Sequence, residues 1–427
     1  MSIGRTATIA VVIVGLLAVP ASAQRRARGT RGTPSARVVR GPQFNGSVYG
    51  GYDAPLFATD TFATLQPTGQ AFGGVDGGFS YDKVGRRVVL ATTASASNRY
   101  FPQFTPKTQP SYGLSLSLAS VARGKWSWTL SNFAQYAPYS AASLFAGAVG
   151  QNGGNFQLAS GSAFQTSTIR QVNTSSALDL TYSPTRRLHF SLLGGAGTIL
   201  PIDSPIARNL RLTGQGRVSY DLSRAFRGYV GYAVNENRVE AKNGVPATTY
   251  RLDGIDFGID LNRPFQITRD TTLTVQTGLV KLPDQGRNTY QLRGNVTLEH
   301  TFLETWIASL SAQRDARFVQ SYKDPVVLAG VSASTSGLLV GSLGAVLSAN
   351  YSNGTIYSTL GKSNFLTYSA SAQLRYDLRR NVATFLDYTA FRSEVDASAA
   401  LVGYPTGQFG RYSIRGGLSL GLSPFSK

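Results

Sequence analysis

One hairpin, written several times over, constrains this chain more than any other feature. Its clearest copy runs from Leu210 to Asn235. Leu212, Gly214, Gly216, Val218, Tyr220 and Leu222 alternate with Thr213, Gln215, Arg217, Ser219 and Asp221. A tight Ser223-Arg224-Ala225 turn follows, and then Phe226, Gly228, Val230, Tyr232 and Val234 alternate with Arg227, Tyr229, Gly231, Ala233 and Asn235. Strand side chains point to opposite faces with a period of two, so one face is apolar and the other polar. In a soluble sandwich the apolar face would meet a second sheet. No amphipathic helix or second-sheet pattern is available here, which leaves lipid as the partner.

The same alternation extends over most of the chain. Strands are predicted at 44–52, at 71–82 and 87–97 around the turn Lys83-Val84-Gly85-Arg86, and at 112–118 and 126–136 around Gly124-Lys125. Others fall at 176–183 and 188–195, near 255–261 and 273–279, at 290–298 and 306–312, at 368–378 and 382–388, and at 412–422. Tyr250 and Leu252 have the opposite parity to Ile255, which suggests a bulge near Gly254. The stretch 314–364 is the least regular. Leu339, Leu343, Ala345 and Leu347 suggest one strand there, and 355–361 a second. With these two the count is about 18, without them about 16, and both are even as an up-and-down barrel requires.

The first residues read as an export signal. Arg5 precedes an apolar run of about 11 residues, Ile9 to Val19, too short to span a bilayer, and Ala21-Ser22-Ala23 matches a cleavage site. The predicted organisation is a signal peptide at 1–23, a basic unstructured segment at 24–42 and a barrel at 43–427. The chain has no cysteine, so it forms no disulfide and carries no lipid-attachment thiol. Its net charge of +19 would suit nucleic acid, but seven basic residues lie before Gln43, where there is no acid, and an exported chain meets anionic lipid head groups instead. A mean hydropathy of -0.08 fits strands of which half the residues are polar.

On these residues the chain resembles bacterial outer-membrane β-barrel proteins, porin-like and of no particular subfamily. Its final strand, Arg415-Gly416-Gly417-Leu418-Ser419-Leu420-Gly421-Leu422, is similar to the signal that the barrel-assembly machinery reads, with Gly417, Leu420 and Leu422 at its key places. The family often ends in an aromatic residue, whereas Ser426 and Lys427 follow Phe425 here. The resemblance implies a transmembrane antiparallel up-and-down barrel in the outer membrane, in contact with its lipids and lipopolysaccharide. Short turns, as at 83–86, 124–125, 184–187, 223–225 and 379–381, would face the periplasm. Long loops, as at 53–70, 98–111, 137–175, 236–249 and 393–410, would face outward.

The function expected of such a barrel is a water-filled pore for passive diffusion of small polar or anionic solutes. The alternatives are a structural or secretion-associated barrel that conducts little and a membrane-embedded hydrolase. Residues expected to line the lumen are Arg211, Arg217, Asp221, Arg227, Arg251, Asp253, Arg293, Glu299, Arg375, Asp377, Asp387 and Arg415. Arg170 is the one charge in the long loop 137–175, the candidate constriction. The two histidines, His189 and His300, sit near predicted short turns, where outer-membrane hydrolases do not work. No spacing marks a general acid–base pair or a metal site, so neither catalysis nor a cofactor is expected, and no nucleic-acid partner.

Overall fold

The computed structural model describes residues 41–58, 69–102, 107–120, 124–138, 170–202, 208–240, 247–261, 265–268, 270–284, 287–303, 305–318, 325–358, 361–379, 381–395 and 407–422. The expected signal peptide, most of the basic segment, the centre of the long loop and the residues after Leu422 lie outside them.

These residues form nineteen strands. In chain order they are β1 (Gly41–Ala58), β2 (Gln70–Val84), β3 (Val88–Tyr100), β4 (Thr108–Ser120), β5 (Trp126–Pro138), β6 (Arg170–Tyr182), β7 (Leu188–Ile202), β8 (Asn209–Asp221), β9 (Phe226–Val239) and β10 (Thr248–Leu261). There follow β11 (Phe265–Thr268), β12 (Thr271–Asp284), β13 (Arg287–Phe302), β14 (Trp306–Phe318), β15 (Pro325–Val340), β16 (Leu343–Ser358), β17 (Gly361–Arg379), β18 (Val382–Val395) and β19 (Gly407–Leu422). β11 is a four-residue piece, and the other strands run from 13 to 19 residues. Setting β11 aside leaves eighteen full strands, the larger of the two counts expected.

Each strand pairs antiparallel with the next except at the seam where β10 lies beside β12, and β1 pairs with both β2 and β19, which brings the sheet back onto itself. This closure removes the free edges that a membrane cannot satisfy. The short turns expected from the sequence all fall at one end, although β12 and β13, and β16 and β17, are also only two residues apart at the other. Ser223 holds its turn with its own hydroxyl, which accepts from Ala225 N at 3.1 Å and Phe226 N at 3.0 Å. Thr185 does the same for Leu188 N at 3.0 Å. These are the hydroxyl-capped turns that Ser and Thr favour.

Two expectations need correction. No bulge interrupts β10: its register with β9 runs unbroken from Thr248–Val239 to Leu261–Phe226. And the strand expected across 339–347 is interrupted: Leu343, Ala345 and Leu347 belong to β16, but Leu339 belongs to the end of β15, and between them Gly341 and Ser342 turn the chain, with Gly341 at φ +52° in the left-handed region that glycine enters without strain. The rest of β15 lies outside the expected strands, because its Val-Ser-Ala-Ser-Thr-Ser-Gly run has little contrast between faces.

Candidate functional site

The inner face is built by alternation from the closing strands. In β8 and β9, Arg217 Nη1 lies 3.3 Å from Asp260 Oδ2 of β10, and its guanidinium sits over the Tyr229 ring at 4.0 Å. Asp221 anchors a chain of contacts. Arg227 Nε donates to its Oδ1 at 2.6 Å, His189 Nε2 stands 3.3 Å from its Oδ2, and Ser183 Oγ lies 2.8 Å from His189 Nδ1. The sequence reading of histidine as a rim residue holds, but it missed this serine–histidine–aspartate contact, whose members come from β7, β8 and the turn before β7.

A larger cluster spans the closure between β19, β1 and β2. Arg411 donates from Nε to Asp53 Oδ1 at 3.2 Å and from Nη2 to Asp53 Oδ2 at 2.9 Å, with the arginine fully buried. Arg415 Nε donates to Asp387 Oδ2 at 2.8 Å, and Gln373 Nε2 donates to the other oxygen, also at 2.8 Å. Tyr49 OH donates to Asp76 Oδ1 at 3.0 Å and accepts from Arg99 Nε at 3.4 Å. Tyr49, Phe72 and Phe101 pack together, with Phe385 against them. Tyr49 is opposite Gly417 on one side and Gly74 on the other. A methyl group on Gly74 would lie 2.5 Å from the tyrosine ring, so glycine there makes room for it. Asp387 and Arg415 were expected in the lumen. Asp53, Arg99 and Arg411 were not singled out, although each has the inward parity of its strand.

The remaining candidates divide. Arg211, Arg293 and Glu299 have inward parity, and Arg375 and Asp377 form an inner-face pair at 3.0 Å that is more than half exposed. Arg251 and Asp253 do not belong to the lumen. They share the outward parity of Ile255, Phe257 and Ile259, and pair with each other at 2.8 Å. The outer face at this end also carries Glu236 paired to Arg238 and Arg392 paired to Glu394. Arg170 is likewise misplaced by the sequence reading. It is the first residue of β6 and has the outward parity of Val172 and Leu178, so it is not a constriction residue.

In place of Arg251, the inner face of β10 presents Leu252. It is 1% exposed and packs with Ala316, Val327 and Tyr250. Registered pairing between β13 and β14 ends at Gly294–Arg314, beyond which Arg314 Nη2 donates to Gln291 Oε1 at 2.9 Å. The end of the β14–β15 hairpin therefore leaves the wall and lies against its inner side, covering Leu252.

With Arg251 and Asp253 removed, the described wall carries guanidinium groups of inward parity at 99, 211, 217, 227, 293, 375, 411 and 415 and carboxylates of inward parity at 53, 76, 82, 179, 221, 260, 299, 377 and 387. Among the described residues the inner wall thus has no basic excess. Hydroxyls pair across it too, Thr93 with Ser115 and Ser311 with Ser332, both at 2.6 Å.

The outward face is the reverse. Val48, Leu192 and Leu418 are 64%, 59% and 52% exposed, and Leu420 and Leu422 join them. Aromatic rings ring both ends of this apolar band. Trp126 stacks on Tyr182 at 4.3 Å and Phe302 on Trp306 at 6.0 Å near the short turns. Tyr112 meets Tyr136 at 5.9 Å and Tyr351 meets Tyr368 at 5.3 Å toward the other end. An apolar band between two aromatic girdles on a closed antiparallel wall fits a bilayer. The chain folds as a closed antiparallel up-and-down β-barrel with an apolar outer face. Gly417 of its expected assembly signal lies inside the barrel beside Tyr49, while Leu420 and Leu422 point out.

No family model and no curated protein matches this barrel. Among solved structures it is similar to the siderophore receptor PirA from Pseudomonas aeruginosa, at 10% identity and TM-score 0.43 over 90% of this chain and 80% of that one. It is also similar to PirA from Acinetobacter baumannii, at 8% identity and TM-score 0.44 over 90% and 81% of the two chains. The ferric-catecholate import receptor Fiu from E. coli K12 gives 7% identity and TM-score 0.41 over 88% and 82%. Likenesses at this level convey nothing about what the barrel carries.

Proposed function

We propose that this barrel is a water-filled pore for passive diffusion of small polar solutes. The observation that carries the reading is Arg375 and Asp377, an ion pair on the inner face with 59% and 55% of its side chains exposed. Charges left exposed inside a barrel stand in water, not in a packed core. The matched carboxylates and guanidinium groups of the inner wall support weak selectivity between anions and cations, in place of the anion preference that the whole chain's charge suggests. Lipopolysaccharide suits the paired charges of the outer collar, and the barrel-assembly machinery suits the last strand.

Single-channel recording in a planar bilayer tests the pore. Regular conductance steps with a reversal potential near zero in a salt gradient are the expected result. Folded protein that gives no steps would favour the structural barrel that conducts little.

The Ser183–His189–Asp221 contact favours a hydrolytic reading in one respect, since it joins a hydroxyl, an imidazole and a carboxylate. Arg227 holds the same carboxylate at 2.6 Å, which fits a brace for the turn better than an activated base. A fluorophosphonate probe decides between them: a brace leaves Ser183 unlabelled.

A further inference from the structure

The wall is built differently at one seam. β10 is registered with β9 and β12 with β13, and between β10 and β12 a side chain does part of the bonding. Ile259 N donates to Thr277 Oγ1 at 3.2 Å, and the same hydroxyl reaches Ile259 O at 3.5 Å. The strands are close at Gly258, where a methyl group would lie 2.4 Å from Thr277 O. On the outward side of this seam is a groove of about 820 Å³, lined among others by Phe226, Phe257, Ile259, Leu273, Leu279 and Leu292. All six have outward parity, as have most of the lining residues, so the groove opens on the lipid-facing side of the wall, with Tyr229 and Asp260 of the inner face at its floor.

We propose that this groove is a binding site for one fatty-acyl chain of a phospholipid from the leaflet on the short-turn side. Two observations name that occupant. The groove opens within the band that meets hydrocarbon, so its natural filling is a lipid tail. At its short-turn end Phe226 follows directly on the Ser223-Arg224-Ala225 turn, where Arg224 is exposed and can meet a head-group phosphate. A notch of this kind holds a chain longer than the smooth wall does, because carbon meets it on more than one side. The proposal rests on the membrane reading of the barrel.

The test uses the full chain in vesicles of phosphatidylethanolamine and phosphatidylglycerol, the latter carrying a photoactivatable diazirine on one acyl chain. Mapping the crosslinks by mass spectrometry should give several-fold more label on Phe257, Ile259 and Leu273 than on Leu192, Val218 and Leu418. Leu273→Trp should fill the groove and return that label to the level of the rest of the wall. Arg224→Glu, in an exposed turn where folding is not at risk, should lower it as well. A diazirine fatty alcohol without phosphate should label the groove less and be indifferent to Arg224→Glu. Even labelling around the belt would overturn the site, and equal labelling by alcohol and phospholipid would overturn the role of the phosphate. Heat-dependent gel mobility of the same samples reports the barrel separately, so loss of the membrane reading is told apart from loss of the groove.

Discussion

Arg411 grips Asp53 with two arms of its guanidinium and so ties β19 to β1 inside the barrel. Neither group reaches water, and the aromatic cluster around Tyr49 lies a few residues along the same strands. A buried pair of this kind adds little over a well-packed apolar pair, but breaking it strands a charge.

Asp53→Ala should therefore cost about 3–5 kcal/mol, the usual penalty for an uncompensated buried charge. Removing Asp377, whose partner Arg375 is more than half exposed, should cost no more than about 1 kcal/mol. Urea unfolding in vesicles, followed by heat-dependent gel mobility, compares the two. Equal losses would refute the closure role of Arg411 and Asp53.

Gly417→Val and Gly421→Ala separate the two glycines of the last strand. A side chain at 417 would meet Val48 O at 2.2 Å and Tyr49 Cβ at 2.7 Å, whereas nothing lies within 4 Å of the same position at 421. The first should prevent the closed form and the second should leave it intact. Surface protease protection in whole cells reads both, and a tolerated valine at 417 would show that Tyr49 is free to move aside.

Leu303 has φ +52° in the turn between β13 and β14, a conformation that a side chain with Cβ resists. Leu303→Gly should raise stability by about 0.5–1 kcal/mol once the greater freedom of the unfolded glycine is allowed for. A higher urea midpoint is the expected reading; a lower one would mean that the leucine's contact with lipid outweighs the strain.

Arg375→Glu replaces a water-exposed inner charge at the short-turn end. It should move the reversal potential toward cation preference while leaving the unfolding midpoint within about 1 kcal/mol of the parent. A changed midpoint with an unchanged potential would place Arg375 outside the conducting path.

Where the two faces of a strand differ strongly, the residues themselves declare them. Leu212 to Leu222 and Phe226 to Val234 do so, and their parity, turn and register are all legible in the order of the residues alone. β15 is not, because its Ala, Ser and Thr suit either face. Leu252 misled for a different reason. An apolar residue with inward parity looks like a slip of register when the lumen is taken to be water throughout. The β14–β15 end covers it, and no local pattern announces a contact between strands so far apart in the chain. The placement of Arg251 and Asp253 fails with it. The Arg411–Asp53 tie has the same character, since alternation gives each residue its face but not its partner.

The distance along the chain between those two residues has a consequence in time. They are 358 positions apart, and closing a flexible loop of that length costs about 5 kcal/mol of chain entropy, on the order of (3/2)RT ln n. Neighbouring hairpins form at far smaller cost, so the sheet grows first and its rims meet late. Contacts made late affect the lifetime of the finished form more than the speed of reaching it. Variants at Arg411 or Asp53 should thus leave insertion on schedule and shorten how long each molecule stays shut.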